Sequence, residues 1–147
     1  MATYEMQEMN LPNDEGKRIL YPRMKLAGQD DLEEIARRIS RATTFTQGDI
    51  HGVVRALAEE MAWSMANGRS VKIEGLGIFT PSLALKKGFE RETGEPGSTR
   101  RNATSICVDG VRFRTDKELV ARTGQLCRLE RSAQKFQRSS RRYTPFL

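Results

Sequence analysis

The chain has 147 residues, of which 30% are charged, and its formal net charge at pH 7 is +6. The length suits one domain with short extensions, and the absence of an apolar run of about 18 residues excludes a membrane-spanning helix. The first ten residues lack the apolar core of a signal peptide, and two cysteines cannot build a disulfide framework. We therefore expect a protein of the reducing cytoplasm.

The positive charge is concentrated near the C-terminus. Residues 1–111 contain 15 Lys or Arg against 16 Asp or Glu, whereas residues 112–147 contain 10 against 3. This asymmetry favours an anionic partner such as nucleic acid or an acidic surface. The alternative is a tail that serves only solubility.

Two short strands are predicted within residues 1–28. The segments YEMQEMN and KRILYPRMKLA flank LPNDEG, whose Pro, Asn, Asp and Gly favour a turn. Pro22 lies inside the second segment and predicts an edge strand, because proline has no N–H to donate to a neighbour. We predict an N-terminal β-hairpin extension over residues 1–28.

Two helices follow. The first is predicted to have Asp30 as its N-cap and to end near Ala42. The second has Thr46 as N-cap with Asp49 three residues later, a variant of the capping box, and it ends at Asn67-Gly68. Apolar residues recur along the second helix at helical spacing. They are Ile50, Val53, Val54, Leu57, Ala58, Met61 and Met65.

A strand is predicted over residues 71–80, VKIEGLGIFT, and it contains Gly75 and Gly77. Glycine weakens a strand interior, so it usually marks a bulge, a sharp bend or a close approach of another backbone. The two glycines therefore predict a structural hinge in this strand.

The next β-like fragments, SLAL and TSICVDGVRF, surround the polar stretch KKGFERETGEPGSTRRN. Phe79 and Phe113 each lie 17 residues from Pro96. Equal legs are typical of one long hairpin with Pro96 at its tip. Alternatively, Asp109-Gly110 forms a tight turn and the excursion is shorter.

A third helix is predicted from about Asp116. Thr115 and Glu118 match the S/T-x-x-E capping box, and Gly124 is a candidate interruption. Residues 128–147 are basic and Ser-rich, which predicts a tail without a core of its own.

Two helices, a few strands and a short third helix bury little surface, so we expect a homodimer in which association and folding are coupled. The alternative is a monomer whose core is closed by the N-terminal hairpin. The predicted dimer core is Ile50, Val54, Leu57, Met61, Phe79 and Phe113.

No pattern of catalytic residues stands out. His51 is the only histidine and has no metal-binding residue at helical spacing, and neither Cys107 nor Cys127 belongs to a CxxC motif. Gly75-Leu76-Gly77 lacks the third glycine and the following helix of a dinucleotide loop. We expect no enzyme activity, metal, cofactor or small-molecule substrate.

The order of two capped helices, Gly75-Leu76-Gly77-Ile78-Phe79, a polar hairpin and a final helix opening with FRTDKEL resembles the HU and integration host factor family of bacterial DNA-binding proteins. The resemblance covers roughly residues 29–127, and the extra N-terminal segment is similar to longer HU-related variants with a β extension. It implies an α+β fold with a dimeric helical body and a β-ribbon arm over about 81–112. It also implies a nucleoid-associated, histone-like role in bending or compacting duplex DNA with little sequence specificity.

In that family, arm residues contact the minor groove and a proline at the tip partly unstacks a base step. The resemblance and the basic tail give the following candidate DNA-binding residues: Lys86, Lys87, Arg91, Pro96, Arg100, Arg101, Arg112, Arg114, Arg138, Arg141 and Arg142. The chain departs from the family at Glu90, Glu92 and Glu95, which reduce the positive charge of the arm. These acidic residues favour an alternative in which an HU-like dimer serves as a protein-interaction scaffold. RNA binding is a third hypothesis, although the sequence lacks an aromatic stacking platform.

Overall fold

The structure is a computed structural model, and it describes residues 1–9 and 13–133. The described backbone has an α+β fold and falls into two compact units, Asp31–Gly124 and a unit that combines Met1–Asp30 with residues from Gln125 onward. The elements in chain order are β1 (Ala2–Glu8), β2 (Leu20–Lys25), α1 (Leu32–Ala42), α2 (Gln47–Ala66), β3 (Val71–Ile73), β4 (Gly77–Leu85), β5 (Ile106–Thr115), α3 (Lys117–Leu126) and β6 (Leu129–Arg131).

The unit that contains the N-terminus has a three-stranded sheet of order β2-β1-β6. β1 and β2 form the predicted antiparallel hairpin, in which Tyr4 pairs with Met24 and Met6 with Pro22. Pro22 lies on an edge strand, as predicted, where its missing N–H breaks no hydrogen bond within the sheet.

β6 was not predicted. The composition of residues 128–147 predicts a basic tail, but Leu129–Arg131 form a strand parallel to β1, and the Ser132 N–H donates to the Tyr4 carbonyl at 2.8 Å. A three-residue strand carries almost no local signal. Its partner strand lies at the other end of the chain, so only tertiary pairing identifies it.

α1 begins one residue later than predicted. Asp31, not Asp30, is the N-cap, because its carboxylate accepts the Glu34 N–H at 3.0 Å. Both aspartates suit the position chemically, and the pairing with the third residue of the helix decides between them. The helix ends at Ala42, as predicted.

α2 confirms the predicted capping box in full. The Thr46 hydroxyl accepts the Asp49 N–H at 3.1 Å, and the Asp49 carboxylate accepts the Thr46 N–H at 3.0 Å. Hydrogen bonding of the Asp49 carboxylate to the side chain and to the main chain of Thr46 lowers the pKa of Asp49 below its ordinary value of 3.8. At the other end, Gly68 has a φ of +76°, the left-handed conformation that stops a helix without steric cost.

The prediction of one continuous strand over residues 71–80 is wrong. β3 and β4 are separate antiparallel strands with Val71 opposite Phe79, and a tight turn over residues 74–76 joins them. The Leu76 N–H donates to the Ile73 carbonyl at 3.0 Å, and Gly75 adopts a φ of +81°. Gly75 thus allows the chain to reverse rather than to bend.

β4 and β5 form a long antiparallel pair that runs from Gly77 opposite Thr115 to Leu85 opposite Ile106. The alternative tight turn at Asp109-Gly110 is wrong, because both residues lie within β5. Asp109 is instead the extra residue of a β-bulge, and its carboxylate accepts the Ser82 hydroxyl at 2.7 Å. Such a bulge increases the local twist of the pair.

α3 begins at Lys117 and continues through Gly124 to Leu126 without the suggested interruption. The predicted capping box at Thr115 is also wrong. Asp116 caps the helix, because its Oδ1 accepts the Glu118 N–H at 3.0 Å. The Thr115 hydroxyl donates to the Asp116 carbonyl at 3.2 Å instead.

Candidate nucleic-acid interface

The sheet of order β3-β4-β5 has two chemically different faces. Residues that pair across antiparallel strands share a face, and successive residues alternate between faces. The apolar face of β4 and β5 carries Phe79, Pro81, Leu83, Leu85, Ile106, Val108, Val111 and Phe113. The polar face carries Ile78, Thr80, Ser82, Ala84, Arg112 and Arg114, with Lys72 on β3.

Three cations lie on the polar face. Lys72 pairs with Ile78, which pairs with Arg114 on the next strand, and Arg112 is two residues from Arg114 on the same strand. We call Lys72, Arg112 and Arg114 the basic row. All three are exposed, and Thr80 and Ser82 on the same face have small side chains.

Arg112 and Arg114 are among the candidates predicted from the sequence, whereas Lys72 is not. Its position on the polar face depends on the register between β3 and β4, and that register exists only because the chain reverses at residues 74–76. Alternation within VKI already indicated that Lys72 points away from Val71 and Ile73. This alternation, together with a turn at residues 74–76, would have identified Lys72 as a candidate.

β4 and β5 are connected by residues 86–102, which we call the tip loop, and a short 3-10 turn, Ala103–Ser105. The Lys86 N–H donates to the Ser105 carbonyl at 2.9 Å, so the strand pairing continues to the start of the loop. Four predicted DNA-binding residues are exposed in the loop, and none has a side-chain hydrogen bond or ion pair to another described residue. They are Lys86, Lys87, Arg91 and Arg100.

Pro96 lies in a β-turn within the tip loop. The Ser98 N–H donates to the Glu95 carbonyl at 3.3 Å, and Gly97 has a φ of +91°. Proline followed by a residue with positive φ is the signature of a type II turn. A further hydrogen bond, from the Thr93 N–H to the Ser98 hydroxyl at 2.8 Å, stabilises the turn.

The three tip-loop glutamates differ in their surroundings. The Glu92 carboxylate accepts the Arg101 N–H at 3.1 Å, and the Glu90 main-chain carbonyl accepts the Nε–H of Arg101 at 2.8 Å. Glu95 is exposed beside Pro96. The Glu92 carboxylate thus has a hydrogen-bond partner within the loop, whereas the Glu95 carboxylate adds negative charge next to Pro96.

Gly75 and Gly77, the predicted hinge, lie where the sheet meets α3. Gly77 is buried, and a Cβ added to it would lie 2.2 Å from the Arg114 carbonyl oxygen. Gly75 donates its N–H to Oδ2 of Asp116 at 3.2 Å, and the Asp116 N–H donates to the Leu76 carbonyl at 2.8 Å. Hydrogen bonds from Glu118 and Gly75, aided by the charge of Lys72, lower the pKa of Asp116 below 3.8.

The predicted dimer-core residues are poorly covered within one chain. Ile50 is 8% exposed, but Val54 and Leu57 are 37% and 36% exposed, and Phe113 is 51% exposed. Met61 and Phe79 are half-buried. The Phe79 and Phe113 rings contact each other with centroids 4.9 Å apart, on the apolar face of β4 and β5.

The remaining residues named from the sequence are three arginines, one histidine and two cysteines. Arg138, Arg141 and Arg142 lie outside the described residues. His51 is half-buried in α2, and Cys107 and Cys127 are free, half-buried thiols. Within residues 1–9 and 13–133, no group of three His, Cys, Asp or Glu could hold a metal ion, and no helix is long and apolar enough to cross a membrane.

Comparisons with known proteins identify the fold and the family. No curated protein sequence matches the chain. A crystal structure of a candidate bacterial DNA-binding protein from Bacteroides vulgatus ATCC 8482 is similar, with a TM-score of 0.58 and 14% sequence identity. The match covers 91% of this chain and 51% of the other, so this chain spans about half the length of that protein. The family described as an HU domain fused to a wHTH, Ig or glycine-rich motif matches residues 1–131, and the chain belongs to this family.

Proposed function

We propose that this protein is an architectural DNA-binding protein of the bacterial nucleoid, a homodimer that binds duplex DNA with little sequence specificity and bends or compacts it. The basic row is the observation that carries the proposal, because it presents three exposed cations on one face of a single sheet. Membership of an HU-domain family and the DNA-binding description of the structural neighbour support the same function.

The chemistry of the basic row suits phosphates. Lysine and arginine neutralise the charge of the DNA backbone and release counterions, which gives affinity without sequence information. Each chain would contribute Lys72, Arg112 and Arg114, so a dimer would present six such cations. The affinity is therefore expected to fall steeply as the salt concentration rises.

The tip loop extends the proposed interface. Lys86, Lys87, Arg91 and Arg100 would contact phosphates, and Pro96 would place an apolar surface against the minor groove. Glu95 lies next to Pro96 and repels phosphate, so this contact would contribute less than the basic row. The bulge at Asp109 would give the β4-β5 pair the twist needed to follow a curved duplex.

Dimerisation explains the exposed apolar surface. Among the described residues, the buried apolar side chains are those of Ala36 and Ile50, which are 0% and 8% exposed. A domain with so small a core is not stable unless another surface covers its apolar residues. In a dimer, the apolar stripe of α2 and the apolar face of β4 and β5 would pack against the same surfaces of the second copy. The polar face would stay open to DNA.

A second candidate function, a protein-interaction scaffold, is favoured by the N-terminal sheet. One face of this sheet carries an open groove of about 470 Å³, lined by Tyr4, Met6, Pro22, Arg23, Met24 and Leu129. Such a groove suits an apolar peptide or protein surface better than phosphates. The acidic side chains of the tip loop are compatible with this role.

A mobility-shift titration of duplex DNA at about 50 mM salt tests the proposed function, because phosphate contacts are strong under those conditions. The wild-type chain should retard the duplex, and Arg112→Ala combined with Arg114→Ala should weaken the binding strongly. Arg55→Ala and Arg69→Ala together are the matched control, since these arginines are exposed outside the basic row and their loss removes the same charge. No retardation by the wild-type chain would reject DNA binding and leave the scaffold function.

A further inference from the structure

Arg101 differs from the other tip-loop cations because its Nε–H and its main-chain N–H both donate to other residues of the loop. Its Nε–H donates to the Glu90 carbonyl at 2.8 Å, and its main-chain N–H donates to the Glu92 carboxylate at 3.1 Å. Its guanidinium carbon lies 5.5 Å from the centre of the Phe89 ring. Three different interactions therefore connect Arg101, on the returning side of the loop, to three residues on the outgoing side.

We propose that Arg101 is a positioning residue that holds the tip loop in its folded form, and that Arg100 provides the phosphate contact at this point of the arm. This assignment rests on the proposed DNA-binding function. It assigns different roles to two adjacent arginines that the sequence alone does not distinguish. Arg100 is exposed and has no hydrogen bond or ion pair with another described residue, whereas Arg101 is half-buried.

The interactions of Arg101 require the geometry of a guanidinium. Its planar group can donate from Nε to a carbonyl and stack on an aromatic ring at the same time. A lysine at this position keeps the positive charge but has no donor at Nε, and its ammonium has no flat surface to stack. Charge alone therefore does not preserve the role of Arg101.

The contacts of Arg101 also affect the turn at Pro96. Residues 93–98 lie between the two sides of the loop that Arg101 connects, and the hydrogen bond between Thr93 and Ser98 closes the turn within them. A loop already ordered in the free protein loses less conformational entropy on binding. Arg101 would thus raise the affinity of the arm without contacting DNA.

Three full-length variants test the proposal: Arg101→Lys, Arg101→Ala and the control Arg100→Ala. The first measurement is amide hydrogen exchange in the free protein, followed by mass spectrometry of peptides covering residues 86–105. The second is the affinity for a fluorescent duplex across a salt series, which gives the slope of log affinity against log salt. The slope reports phosphate contacts, at about 0.9 for each one.

We expect Arg101→Lys and Arg101→Ala to exchange roughly three- to tenfold faster than wild type in these peptides, as loss of one hydrogen bond of typical net strength implies. Both should also lower the affinity by a similar factor at every salt concentration, with little change in slope. Arg100→Ala should exchange as the wild type does and reduce the slope by about one for each chain.

Two results would overturn the assignment. One is an Arg101→Lys variant that matches the wild type in both exchange and affinity, because retained charge would then be sufficient. The other is an Arg101→Ala variant with unchanged exchange and a reduced slope, which would make Arg101 a phosphate contact. If the wild-type chain binds no DNA, the proposed function fails, and the exchange of the free Arg101 variants alone decides whether Arg101 orders the loop.

Discussion

Asp116 and Gly75 are 41 residues apart in the sequence, yet the Gly75 N–H donates to the Asp116 carboxylate at 3.2 Å. The same carboxylate caps α3 through the Glu118 N–H, and the Asp116 N–H donates to the Leu76 carbonyl. One side chain thus joins the β3-β4 turn to the start of α3. Lys72 and Arg114 of the basic row lie on the strands beside this junction, so the junction fixes the proposed DNA-binding face.

We predict that Asp116 makes stability depend on pH in the acid range. Its pKa in the folded chain is lower than its ordinary value of 3.8, mainly because of the hydrogen bond from Glu118. A depressed pKa contributes stability that is present above pH 3.8 and is lost as the pH falls from there through the lower folded value. Thermal unfolding of Asp116→Asn should show a weaker pH dependence in that range than wild type.

The control for this measurement is Asp109→Asn. Asp109 lies at the bulge of β5 and not at the junction, so its substitution should leave the acid dependence that Asp116 causes in place. An Asp116→Asn variant with the same acid dependence as wild type would contradict the prediction.

We predict that Gly77→Ala destabilises the chain more than Gly75→Ala. A Cβ at position 77 would lie 2.2 Å from the Arg114 carbonyl oxygen and 2.7 Å from the Phe113 ring, so backbone must move. The cost should be about 3 kcal/mol or more. At position 75 the space is open and only the positive φ opposes alanine, which costs about 1 kcal/mol. Urea unfolding of both variants measures the difference, and equal losses would show that the close approach at Gly77 has no effect.

We predict that Thr46→Ala destabilises α2 by about 1 kcal/mol, because it removes the acceptor for the Asp49 N–H at the helix N-terminus. Thr44→Ala is the matched control, since Thr44 is exposed and lies before the helix without a hydrogen bond to another described residue. Denaturant unfolding should separate the two variants. A Thr46→Ala variant as stable as Thr44→Ala would indicate that the capping box contributes nothing.

We predict that Leu57→Asp disrupts the proposed dimer, because it places a charge in the apolar stripe of α2. The wild-type chain should sediment at twice the 16.7 kDa of one chain. The variant should shift towards the mass of one chain or lose its cooperative unfolding. Glu59→Lys, on the opposite side of α2 from Leu57, should remain dimeric. A wild-type chain that sediments as a single copy would contradict the dimer.

The sequence predicted the elements that local interactions determine. The capping box of Thr46 and Asp49 and the stop at Gly68 involve residues within a few positions of one another, so the limits of α2 could be read from the pattern. The equal spacing of Phe79 and Phe113 from Pro96 also indicated their pairing, which the structure contains. Both features follow from helix capping and from the symmetry of a hairpin.

The features that depend on distant residues could not be predicted. β6 is three residues long and is formed only because β1 offers an edge, and the hydrogen bond from Gly75 to Asp116 joins residues 41 positions apart. The residue types of Asp109-Gly110 suit a turn as well as a bulge. A bulge forms because the β5 residues before and after this pair are both paired with β4. Lys72 joined the candidate site only when the register between β3 and β4 was known.

The most direct test of the account is a fluorescence-anisotropy titration of duplex DNA across a salt series. It compares the full chain with a chain that ends at Ala133, which retains β6 and the hydrogen bond from Ser132 to Tyr4. Both chains should bind the duplex with an affinity that falls steeply with salt, and the shorter chain should bind more weakly with a smaller slope. Failure of both chains to bind at low salt would contradict it.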